Sequence, residues 1–176
     1  MGADMKENHF IRRALNNAWA NSTIYEDLNT LRKNEFWAER PGFFGSLGRT
    51  MNHIYEVDLY YVDALTEGGK GRSVFDRPDL QNPTELSVRQ SEVDMAFAMF
   101  CGALTEDELT STVPTERKDG IVEERVDYLI LHLVQHQIHH RGQAHAMLSH
   151  AGFEPPQLDE FYLEFGRAET AKPYWS

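Results

Sequence analysis

The chain has a single cysteine, Cys101, among 176 residues. One thiol builds neither a disulfide framework nor an all-cysteine zinc site, which suits a reducing cytosol and leaves Cys101 as a small buried residue. Basic residues are scarce: 17 Lys and Arg stand against 28 Asp and Glu, for a net charge of −11. Such a chain repels a phosphate backbone and its cations form no block or stripe, so nucleic-acid binding is excluded as the main function. Long apolar runs are lacking too. None approaches the ~20 residues of a spanning helix, and Met1 to Phe10 is polar and mixed in charge, unlike a targeting segment. No internal repeat or low-complexity tract is found. The expectation is one domain over residues 1–176, cytoplasmic, with no membrane partner and a length that supports a substantial core.

Helical periodicity is what the chain has in abundance. Ile11, Ala14, Leu15, Ala18, Tyr25 and Leu28 recur with helical spacing, uninterrupted by Pro or Gly, and predict a helix over about residues 5–33. Asn34 to Gly45, with Pro41-Gly42 inside it, reads as a loop ending at Ser46, the N-cap of a second helix from about Leu47 to Thr66. Gly68-Gly69-Lys70-Gly71-Arg72 lacks the spacing of a phosphate loop and follows a helix rather than a strand, so it reads as a linker. Asn82-Pro83 with Glu85 is a capping signature. It opens a third helix marked by Leu86, Val93, Phe97, Phe100 and Leu104.

From Thr105 to Glu124 the helical pattern breaks, and two short extended pieces are expected to flank a turn at Asp119-Gly120. A last long helix should run from about Glu123 to Ala151, stopped by Gly152 with Pro155-Pro156 beyond. Leu158 to Phe165 alternates acidic with aromatic residues and is expected as a short docked helix. Four long amphipathic helices with one long cross-connection predict an all-α four-helix bundle, whose core is a usual place for metal sites.

Five of the eight histidines fall between His132 and His145. At ~100° per residue, Val126, Leu129, Ile130, Leu133, Ala144, Met147 and Leu148 define one apolar face of that helix, with His140 about 30° and His136 about 70° from its centre. His132 and His145 lie about 110° off on opposite sides and His139 about 130°, nearer the surface by the same geometry. His136 and His140, at i and i+4, stack on one face, close enough to share a metal ion. His132 and His136 have the same spacing, so a shift by one turn stays open. A site with room for chemistry takes three protein ligands and an open position. His53, on a stripe with Thr50, Val57, Tyr60 and Ala64, is the candidate third ligand. Tyr60, Glu56, Thr50 and Asn52 are open as assisting groups. His9 and His150, near helix ends, should be solvated. No Glu has a His three residues on and no His-Glu-x-x-His occurs, which excludes a ferritin-like di-iron centre and a zinc protease of that type.

The run His136-Gln137-Ile138-His139-His140-Arg141-Gly142-Gln143, together with Asn52-His53, resembles the DinB family, part of the DinB/YfiT-like metalloenzymes. The Asp119-Gly120 turn and the Gly152, Pro155-Pro156, Leu158-Asp159 tail support it, and the likeness extends over most of the chain. The resemblance implies an up-down-down-up four-helix bundle, a homodimer, and a divalent metal on His53, His136 and His140, with Zn or Ni ahead of Fe or Mn. It further implies a metal-dependent enzyme acting on a small-molecule substrate, either a thiol S-transferase or isomerase using a low-molecular-weight thiol, or a hydrolase. A non-catalytic metal-binding or stress-related interaction protein on the same bundle is the alternative. Arg141 reads as structural support.

Overall fold

Capping side chains and proline set the frame of four long helices, α1 (His9–Leu28), α2 (Leu47–Leu65), α3 (Pro83–Ala103) and α4 (Val126–His150), in a computed structural model that describes residues 9–175. The Ser46 hydroxyl accepts from the Arg49 amide at 3.2 Å, and the Asn82 side chain accepts from the Thr84 amide at 2.8 Å with Pro83 in the first helical position. Caps of this kind contribute ~1 kcal/mol each. The Asn82 bond goes to Thr84, so the reciprocal bond expected from Glu85 plays no part in it.

Helix α1 stops at Leu28 rather than near residue 33. There the chain tightens: the Thr30 hydroxyl donates to the Asp27 carbonyl at 2.7 Å, and a separate helical turn, Lys33–Phe36, follows. Residues 5–8 of the expected helix lie outside the described residues. Two strands, β1 (Thr112–Arg117) and β2 (Gly120–Arg125), pair antiparallel as expected, but the turn itself is Lys118-Asp119, and Gly120 (φ 132°) opens β2. Because β2 runs to Arg125, α4 starts at Val126 and not near Glu123.

Specific contacts give the helix directions. The Asp58–Gln90 bond in mid-helix and the Asn52–Leu80 bonds just before α3 place α2 and α3 parallel. Helices α1 and α3 are antiparallel, since Ile11 meets Gly102 while Tyr25 shares a groove with Ser87. Helices α2 and α4 are antiparallel as well, with Thr50 against Met147 and Tyr61 against His132. The result is the up-down-down-up bundle. Its core holds Leu28, Phe36, Leu47, Ile54, Leu86 and Ile130 without exposure, each such side chain contributing ~1.5–3 kcal/mol by leaving water. Cys101 is buried among them, and burial pushes its thiol up to about 12.

The tail departs from expectation. Leu158 to Phe165 is irregular, and the helical turn lies later, at Glu169–Tyr174. Phe161 alone of the tail's large apolar side chains points fully inward, stacking on Trp19 at 5.7 Å, while Tyr162, Leu163 and Phe165 are exposed. Farther on, Thr170 accepts from the Trp19 indole at 3.0 Å, and the guanidinium groups of Arg12 and Arg167 pack on the Trp175 ring at 4.3 and 3.7 Å. Docking therefore uses isolated anchors, which an extended chain supplies as well as a helix. Among the described residues no helix is long and apolar enough to cross a membrane.

Candidate metal centre

The antiparallel packing of α2 on α4 brings His53 against His136 and His140, although more than eighty residues of chain separate them. The ring centroids of His53 lie 5.0 Å from His136 and 4.7 Å from His140, and the latter two are 4.4 Å apart. One ligand nitrogen from each of the three lies within 4.8 Å of the others, so the group could hold a metal ion. The Nε2 atoms of His53 and His136 are 3.0 Å apart. Two nitrogens on one tetrahedral ion at ~2.0–2.1 Å stand ~3.3 Å from each other, so the pair needs to open by only a few tenths of an ångström to fit.

All three rings are half-buried, and their surroundings disfavour the charged form. Burial, reinforced by the His140 charge, lowers His53 to about 4. Burial followed by the neighbouring histidines lowers His136 to about 3. His140 is lowered too, chiefly by burial, against an opposing hydrogen bond from Gln143. The lowered basicity favours the neutral imidazole that metal ligation requires; at 3.0 Å one of the facing Nε2 atoms of His53 and His136 donates its proton to the other, and an ion between them would take the place of that proton. His140 Nδ1 lies 3.0 Å from Gln143 Oε1, an acceptor, which puts the proton on Nδ1 and leaves the Nε2 lone pair available to a ligand. Such an outer partner is the usual orienting device for a ligating imidazole. His136 lacks one: its Nδ1 is buried without a hydrogen-bond partner among the described residues.

The other histidines stand apart. His132 is exposed, packs on Tyr61 at 5.0 Å and has its ring 6.2 Å from His136, outside the cluster. His139 is exposed, and Gln143 also bonds it at 3.1 Å. His145 is half-buried and bonds the Pro156 carbonyl at 3.0 Å. His9 and His150 are exposed as expected. Of the assisting candidates, the Thr50 hydroxyl donates to the Ser46 carbonyl at 2.8 Å, and Asn52 bridges Gly48 to Leu80. The Tyr60 hydroxyl donates to the Glu116 carbonyl. All three are committed to holding the fold. Glu56 is half-buried, and burial raises its carboxyl.

Phe44 is a neighbour that helical spacing could not reveal. Its ring lies 4.3 Å from His53 and 5.4 Å from His140, flanking the site from the loop before α2. Gly45, with φ 74°, turns the chain there, and its carbonyl accepts from the Arg40 amide at 2.8 Å. The same loop is seated by the Trp37 ring on Gly48, where a Cβ would stand only 2.8 Å from the ring.

Next to the histidines, one residue farther along α4, Gln137 and Arg141 face the other way into a buried polar network. Arg141 Nη1 donates to Asn17 Oδ1 at 2.8 Å and Asn21 Oδ1 at 2.9 Å, and lies 3.3 Å from Gln137 Oε1. Asn21 donates to both oxygens of Asp94 at 3.1 and 3.0 Å, and Gln90 Nε2 donates to Asp58 at 2.6 Å and Asp94 at 3.0 Å. Gln137 also donates to Asp58. Burial raises Asp58 well above the usual carboxylate range and pushes Asp94 up to about 6, while it lowers Arg141 to about 10. A sequence signal for this network exists in Asn17/Asn21, Gln90/Asp94 and Gln137/Arg141, three polar pairs at i, i+4.

The DinB family model matches residues 5–171. The chain belongs to the DinB family. A DinB protein of Bacillus subtilis (strain 168) is 26% identical over 166 residues, covering 88% of this chain and 94% of its own. Two solved DinB-like structures share the fold. One, from Bacillus cereus ATCC 10987, has a TM-score of 0.61 at 21% identity and covers 79% of this chain and 90% of its own. The other, from Bacillus subtilis, has a TM-score of 0.62 at 18% identity and covers 85% and 96%. In this DinB-family chain the histidine triangle therefore sits in a bundle of the family's own kind.

Proposed function

We propose that His53, His136 and His140 hold a divalent metal ion, Zn or Ni ahead of Fe or Mn. On this reading the chain is a metal-dependent enzyme acting on a small-molecule substrate, a thiol S-transferase or isomerase or a hydrolase. The observation that carries the proposal is the triangle of three neutral imidazoles, contributed by two antiparallel helices, with ligand atoms within 4.8 Å of one another. A bound ion of this class lowers the pKa of a coordinated thiol or water and supplies a nucleophile near neutral pH. The protein's own residues do the rest. Gln143 holds the His140 tautomer, and Phe44 screens one flank from water. Three protein ligands leave a position for an exchangeable one, and uncharged imidazoles leave the ion's full charge to attract a thiolate. A low-molecular-weight thiol is the proposed co-substrate.

Thiol-dependent turnover across a panel of electrophiles, measured on metal-loaded and metal-stripped protein, tests this. Turnover is expected only in the loaded protein. Tight metal binding without turnover on any electrophile, and without hydrolysis, would assign the chain to the non-catalytic metal-binding or interaction class instead.

The same reading takes residues 1–176 as one cytoplasmic domain that works as a homodimer. Tyr128, Leu131 and Ile138, on one face of α4 and 61%, 43% and 48% exposed, support the dimer as an exposed apolar stripe. Sedimentation at micromolar concentration is expected to give a dimer; a monomer would remove that part of the reading.

A further inference from the structure

Phe43 and Phe44 occupy the two central positions of a tight turn with a glycine at each end. Gly42 and Gly45 have φ 152° and 74°, values that glycine adopts at little cost, and the Gly45 amide donates to the Gly42 carbonyl at 3.3 Å. Further contacts hold the turn in place. The Arg40 amide donates to the Gly45 carbonyl at 2.8 Å, and Arg40 Nη1 donates to the carbonyls of Glu35 and Ala38 at 2.5 and 3.1 Å. Gly42 lies so close to α4 that a Cβ there would stand 2.2 Å from Met147 Cε. A turn fixed in this way presents its central side chains in set positions, so a ligand meeting them pays little to order them.

The two rings take different places. Phe44 is half-buried and packs on His53 and His140 at 4.3 and 5.4 Å. Phe43 is 83% exposed and meets Phe44 at 4.9 Å with the ring planes 87° apart. Together they make a continuous aromatic path from open solvent to the imidazoles. A lone exposed apolar residue is ordinary on a protein surface. Here the exposed ring is the outer member of a pair anchored beside the three half-buried histidines. The T-shaped contact occupies only part of the Phe43 ring and leaves the rest open to a further ring.

We propose, resting on the metal reading of the histidine triangle, that this turn determines the specificity of the site, with Phe43 and Phe44 receiving a flat aromatic group of the substrate. The substrate class is then a small molecule whose aromatic ring lies close to its reacting atom. Phe44 supplies the inner contact beside His53, and Phe43 supplies the outer one. An aromatic group on this path gives up its water to two rings already in position, whereas a short aliphatic group reaches too little of them to gain as much.

The full-length protein, metal-loaded and metal-stripped, is titrated with benzyl mercaptan and with allyl mercaptan, read from the ring resonances of Phe44 and His53. Loaded protein is expected to prefer benzyl to allyl mercaptan, and Phe43→Ala to reduce that preference by about two- to tenfold, the worth of one aromatic pair. Phe43→Tyr should restore it. Because Phe43 is exposed and is not a ligand, Phe43→Ala is expected to fold and to keep its full metal content. In stripped protein benzyl mercaptan should still give saturable shifts at Phe44 and allyl mercaptan none. If neither thiol binds loaded protein more tightly than stripped protein, the metal reading fails, and the stripped-protein shifts still decide for or against the aromatic subsite. Equal affinities for the two thiols, a preference undiminished in Phe43→Ala, or no saturable shift at Phe44 would each overturn the proposal. So would a dimer that dissociates in Phe43→Ala, which would make the turn an interface between copies.

Discussion

The His136→Ala chain, dialysed beside the wild type and assayed for bound Zn or Ni, is expected to retain less than a tenth of the wild-type metal. In direct titration its affinity should fall by more than 100-fold. The magnitude follows from the ligand count, because loss of an outer hydrogen-bond partner alone costs ~10–100-fold at such sites and removing one of three protein ligands costs more. His136 is the deepest of the three rings, with the strongest depression of its basicity, and its Nε2 faces His53 at 3.0 Å. His132 supplies the control. It stands one turn earlier on the same helix but is exposed and packs on Tyr61, so His132→Ala should bind metal as the wild type does. Metal loss in His132→Ala with retention in His140→Ala would move the site by one turn and sink the ligand set proposed above.

Arg141→Met is expected to be the most damaging single substitution to the bundle itself. Removing one partner of a buried charge network costs ~3–5 kcal/mol because the other charges stay buried and uncompensated. Against a total stability of ~5–15 kcal/mol, the urea midpoint should fall by about a fifth or more. Methionine fills much of the volume but gives nothing to Asn17 Oδ1, Asn21 Oδ1 or Gln137 Oε1. A loss below about 1 kcal/mol, the worth of one ordinary hydrogen bond, would show that the network tolerates its charges independently.

The pH dependence gives a second readout of the same network. Burial pushes Asp94 up to about 6 in the folded chain, against ~3.9 in an unfolded one. The folded state therefore holds this proton more tightly. The network's contribution is most favourable below about pH 4, declines as pH rises and levels off above about 6. Arg141 is one of the groups that lower Asp94, so in Arg141→Met the decline should extend to higher pH. The buried neutral histidines act in the opposite direction, since unfolding lets them take up protons below about 6.5. They are present in both chains, so the difference between the two profiles isolates the carboxylates.

Much of this molecule is legible in residue spacing. Ser46, Asn82 and Gly152 mark helix ends by chemistry that acts within a turn, and the apolar stripes place four helices and orient His136 and His140 inward. Where spacing misled, longer-range contacts decided the outcome. Acidic and aromatic residues alternating from Leu158 to Phe165 suggested a helix, but the local pattern does not say that one residue, Phe161, will be buried on Trp19. The length of β2 delays α4 by a few residues because strand pairing with β1 is satisfied first.

The sequence by itself determined the helical class, the i, i+4 histidine pair and the absence of a cysteine-based alternative, since periodicity and composition are local quantities. It also held His53 on an apolar stripe without saying what that stripe would meet. Only the tertiary structure brought His53 within reach of His136, left His132 outside, laid Phe44 against the site and closed seven polar side chains from four helices into one network. Those outcomes depend on helix direction and pairing across gaps of up to 124 residues, set by how the apolar faces of four helices bury one another together.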